Sequence, residues 1–143
     1  MRFVIAATLI TGIVSITAFR PVPLHARMEH SGMHMEEHMA AQHHLMATYT
    51  QAQAKINEAL QKGDAAVVKE ETRKLLATIP ELKKMTPHKS RKGQKAIGRI
   101  AAAFEAELKT TMVRIGKRDF AGAGKSFGKA EGKCSACHAK FRD

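Results

Sequence analysis

Aromatic residues are scarce in this chain: there is no Trp, one Tyr and six Phe, so aromatics make up 5% of 143 residues while hydrophobic residues reach 44%. A β-sandwich draws on aromatic and β-branched side chains, so a core of Leu, Ile, Val, Met and Ala favours helices instead. Cysteine is nearly absent. Cys134 and Cys137 have no other thiol to pair with, and two Cys so closely spaced are expected either to pair with each other or to bind something. Acids are outnumbered, 13 Asp and Glu against 24 Lys and Arg, giving a net charge of +11. A long-lived partner should therefore be acidic, anionic at its surface, or nucleic acid. No Ser/His/Asp set or carboxylate pair can be placed, so enzymatic catalysis is not expected. The length allows one domain with a real core.

The only long apolar run is at the start, where Arg2 is followed by Phe3 to Phe19, then Pro21, Pro23 and Leu24-His25-Ala26. This is the pattern of a secretory signal over residues 1–26, and it places the protein in the periplasm, or on the membrane if the segment is retained. Cleavage would remove Arg2 and Arg20 and no acid, so the mature chain would keep about +9. The basic residues are spread along the chain without aromatic interleaving, and with export this argues against nucleic acid.

Residues 27–38 form a Met- and His-rich segment, and 39–143 the expected domain. Leu45, Tyr49, Ala52, Ile56 and Leu60 recur in steps of three or four and predict a helix ending at Gly63. Asp64 is placed to cap a second helix with Val68, Thr72, Leu75, Ile79 and Leu82 inward, ended or kinked by Pro80. Thr86 to Gly93 reads as the longest loop. A third helix carries Ile97, Ile100, Ala101, Phe104, Leu108, Thr111, Met112 and Ile115, closed by Gly116. Asp119 is placed to cap a fourth, with Phe120, Ala123, Phe127, Ala130, Cys134, Cys137 and Phe141 inward. The fold expected is all-α: an antiparallel up-down-up-down four-helix bundle, with Cys134 and Cys137 near its C-terminal end. Gly122, Gly124, Gly128 and Gly132 are unfavourable in a helix, and close approach of a large planar group is one way to offset them.

Cys134-Ser135-Ala136-Cys137-His138 has the spacing of c-type haem attachment. Two thiols separated by two residues can reach the two vinyl groups of a porphyrin, and the next residue presents an imidazole to the iron. A thioredoxin-like redox pair would need a βαβ context and a Cys at a helix N-terminus. A structural zinc site would need a fourth ligand from elsewhere.

The stretch Gly116 to Arg142, GKRDFAGAGKSFGKAEGKCSACHAKFR, resembles the C-terminal helix of the class II cytochromes c, the cytochrome c-prime family. Asp119, Phe127-Gly128, CSACH and Phe141-Arg142 carry the likeness, which is closest over the last helix. The resemblance implies one haem c, with thioethers at Cys134 and Cys137 and His138 as the proximal ligand. This chain departs from the pattern in having no Arg between Met28 and Arg73, where relatives usually place one near the propionates. A haem held this way predicts a cavity between the end of the last helix and the start of the first.

The distal side separates two functions. A sixth ligand would give a low-spin centre for one-electron transfer; an open position would bind NO or CO. Met46 is the first candidate ligand and Met39 the second, with His38, His43 and His44 as bis-His alternatives. A role of another class, copper handling, is suggested by Met28, His30, Met33, His34, Met35, His38, Met39, His43 and His44, since thioether and imidazole suit Cu(I). The partner expected from the charge is an acidic redox protein or an anionic membrane surface, and a homodimer is also compatible with the bundle.

Overall fold

In the computed structural model the described residues are 24–86 and 93–141, with side chains from residue 36 onward apart from residue 38. The proposed signal at 1–26 falls outside them except for Leu24 to Ala26, as do the copper candidates Met28, His30, Met33, His34, Met35 and His38 in their side chains, and loop positions 87–92. The described residues are helical: α1 Leu24–Lys62, α2 Ala65–Ala77, α3 Ile79–Lys84, α4 Gln94–Gly116 and α5 Phe120–Phe141. None of these helices is long and apolar enough to cross a membrane. The chain divides into two compact units, residues 1–35 and 36–143.

Helix ends follow from local chemistry. Gly63 adopts φ 70°, which costs a Cβ-bearing residue about 1 kcal/mol or more, and this turn lets the Asp64 N–H return to the Ala59 carbonyl at 2.9 Å. Asp64 then caps α2, its carboxylate accepting from the N–H groups of Ala66 and Val67 at 3.0 and 3.1 Å. Pro80 cannot donate to the helical ladder, and the second expected helix is accordingly split at Thr78 into α2 and α3. The fourth junction differs from expectation in one respect. Gly116 does not turn the chain; Arg118 takes the left-handed position at φ 58°, and the Asp119 N–H closes on the Arg114 carbonyl at 3.0 Å. Asp119 caps α5 through the Gly122 N–H at 2.8 Å, and Arg114 holds its other oxygen at 2.9 Å.

The core joins Tyr49, Ala52, Ile56 and Ala59 of α1 with Val68, Leu75, Ile79, Phe104, Leu108, Ile115, Ala123, Phe127 and Ala130. Apart from Ala59, which takes the buried place expected of Leu60, these are the inward positions that the three-four periodicity picks out, with Leu45, Leu60, Leu82, Phe120 and Cys134 packed partly buried against them. Contacts pair rising with falling residue numbers: Tyr49 with Thr78 and Lys55 with Glu71, then Thr111 with Ser126 and Arg114 with Asp119. Buried polar groups are mostly matched. The Thr111 and Ser126 hydroxyls meet at 3.0 Å, and buried Glu71 pairs with Lys74 at 2.9 Å and Lys55 at 3.6 Å.

Candidate functional site

The spacing that places residues i, i+3, i+4 and i+7 on one helix face puts Cys134, Cys137, His138 and Phe141 together on α5. They form one wall of a cavity of about 550 Å³. Gln42, His43, Met46, Tyr49, Thr50 and Gln53 of α1 face it, Leu82, Met85 and Thr86 close one side, and Ile97, Ile100, Ala101 and Phe104 of α4 the other. The volume lies within the roughly 300–1,000 Å³ of pockets that take a cofactor or a drug-sized ligand. The cavity lies between the end of α5 and α1, where the attachment motif calls for one.

The floor is fixed. Tyr49 and Phe104 pack with ring centroids 5.6 Å apart and planes tilted by 59°. The Tyr49 hydroxyl pairs with Thr78 at 2.8 Å, and burial pushes its pKa up to about 12, so it stays a neutral phenol. One turn before Cys134, Glu131 ties α5 to α1. Its Oε1 accepts from the Gln53 and Asn57 side-chain amides, each at 2.7 Å. The motif's position against α1 is therefore set by a polar clamp as well as by packing.

Both Cys are free thiols and half-buried. Burial pushes both pKa values up, with Cys137 and Glu131 adding charge repulsion at Cys134. They lie in the last turns of α5, where the helix dipole also disfavours a thiolate. This is the reverse of a redox-active Cys pair, which needs a lowered pKa. Among the described residues no three His, Cys, Asp or Glu side chains converge on a point that could hold a metal ion. His138 and Met46 both belong to the lining.

Of the distal candidates, Met46 is half-buried and on the cavity wall, and His43 is exposed at its edge. Met39 is 38% exposed and, like exposed His44, is not part of the lining. Met85, in the turn after α3, is a second thioether on the wall that the sequence did not single out; no helical period marks a residue in a turn. Tyr49, Phe104 and Lys133 also belong to the lining, the first two having been read only as core.

The glycines of α5 need a different account from close approach of a planar group. A Cβ on Gly124, Gly128 or Gly132 would meet nothing within 4 Å, and none of the four glycines lines the cavity. Gly122 alone of the four is crowded: a Cβ there would collide with the carboxylate of the capping Asp119.

Comparison with known proteins finds no matching family model, no curated protein and no solved structure.

Proposed function

We propose that this protein is an exported monohaem c-type cytochrome of the cytochrome c-prime kind, an antiparallel four-helix bundle that transfers single electrons in the periplasm and is not an enzyme. The observation that carries this reading is the convergence of Cys134, Cys137, His138 and Met46 on one apolar cavity of cofactor size. Bound there, haem c would supply a one-electron Fe(III)/Fe(II) couple. The chain's part is to hold and tune it. Cys134 and Cys137 are reduced thiols, the form that adds across a vinyl group to give a thioether without consuming an oxidant. His138 and Met46 are the residues that would hold the haem iron. Leu82, Ile97, Ile100, Phe104 and Phe141 would shield it from water, limiting reorganisation on electron transfer.

The test is the intact mass of the mature protein from cells that mature c-type cytochromes. One covalent haem is expected, with attachment weakened in Cys134→Ala and Cys137→Ala; a bare polypeptide mass would sink the proposal. An oxidised, reduced and CO-treated absorption spectrum then separates the two distal states. A low-spin spectrum indifferent to CO fits electron transfer, and a high-spin one that shifts fits NO or CO binding. The basic charge favours an acidic redox partner or an anionic membrane surface, with exposed Lys125, Lys129 and Lys140 on the haem-bearing helix. Electron transfer to an acidic protein should slow as salt rises, whereas a rate indifferent to salt would remove charge as the guide.

A further inference from the structure

The cavity's charge is one-sided. Its lining contains no Asp or Glu among the described residues, and Lys133 is the sole Lys or Arg there. Lys133 is half-buried and forms no ion pair with any described residue. Glu131, the acid nearest to it in sequence, is already engaged by Gln53 and Asn57. Glu131 stands two positions before Lys133, a spacing that turns the two side chains to different helix faces.

A lysine stem can lie along an apolar wall with its ammonium at the mouth. An ammonium there has no carboxylate partner among the described residues, and a bound anion would supply one. Gln53 and Thr50 add amide and hydroxyl groups to the same lining, while Leu82, Met85, Ile97, Ile100 and Phe141 supply the apolar remainder. We infer that the cavity selects an amphiphilic acid, a large apolar body bearing a carboxylate that is held by Lys133. On the haem reading proposed above, on which this identification rests, the carboxylate is a propionate and Lys133 is its positioning residue. α5 would then supply both the covalent attachment and the counter-charge, since α1 brings no Lys or Arg to the lining.

The experiment titrates the full chain, unloaded and kept reduced, with metal-free protoporphyrin and with its dimethyl ester, following the Soret band. The wild-type chain is expected to bind the diacid about tenfold tighter than the ester, the worth of one charge-assisted hydrogen bond. Lys133→Gln should bring the two within about twofold, and Lys133→Arg should keep the preference. Retained ester binding is the control for an intact cavity; if Lys133→Gln loses both ligands, Lys133→Met, which keeps the apolar stem, takes its place. Equal binding by the wild type, an undiminished preference without Lys133, or binding of neither porphyrin would overturn the inference. The haem reading fails separately. An acid preference in a chain that never acquires a haem mass keeps the inference and removes haem, and covalent haem without the preference does the opposite.

Discussion

Gln53 of α1 and Glu131 of α5 stand 78 positions apart in the chain, yet the amide of one donates to the carboxylate of the other at 2.7 Å. Asn57 shares the same oxygen, so one acid on α5 gathers two donors from successive turns of α1. Glu131→Ala leaves both part-buried amides without this acceptor and should cost about 2 kcal/mol. The check is urea unfolding, with a lower midpoint at unchanged slope.

A distal thioether from Met46 predicts that Met46→Ala turns the ferric spectrum toward high spin, while Met39→Ala leaves it unchanged. Met85→Ala is the necessary companion, because Met85 lines the same cavity. A shift in Met85→Ala with none in Met46→Ala would move the ligand from α1 to the turn after α3.

Glu105 links α3 to α4, receiving Lys109 at 2.6 Å and Lys83 at 2.6 Å. Hydrogen bonds from Lys109 and then Lys83 are the main causes that hold its pKa down to about 2, against an ordinary 4.5. A depressed carboxylate pKa means that its contribution is complete above pH 4.5 and is lost as pH falls toward 2. The difference in melting temperature between wild type and Glu105→Gln should therefore be constant at neutral pH and close through that window. A gap that persists at pH 2 would assign it to packing.

Thr72 is wholly buried, and its hydroxyl has no hydrogen-bond partner among the described residues. Thr72→Val replaces the hydroxyl by a methyl group of similar shape and should stabilise the fold by about 1 kcal/mol, measured by chemical denaturation.

Two glycines of α5 should respond in opposite directions. Gly128 is exposed with open space around its Cβ position, so Gly128→Ala should gain about 1 kcal/mol from helix propensity. Gly122→Ala must displace the capping carboxylate of Asp119 and should lower the melting temperature. Stabilisation by both would mean that the cap contributes nothing.

Much of this was legible in the sequence because helices expose it there. A period of 3.6 residues places Tyr49, Ile56, Val68, Leu75, Phe104, Leu108 and Phe127 on inward faces whatever lies opposite them. Caps at Asp64 and Asp119 and the break before Pro80 are local chemistry. The spacing of Cys134, Cys137 and His138 fixes their shared face for the same reason. Facts that depend on two distant segments had no such signature. The left-handed turn at Arg118 rather than at a glycine, the Glu131 clamp and the places of Met85 and Lys133 on the cavity wall were decided only by packing. A local pattern states which face a side chain takes, but what that face meets is set by the neighbouring helices.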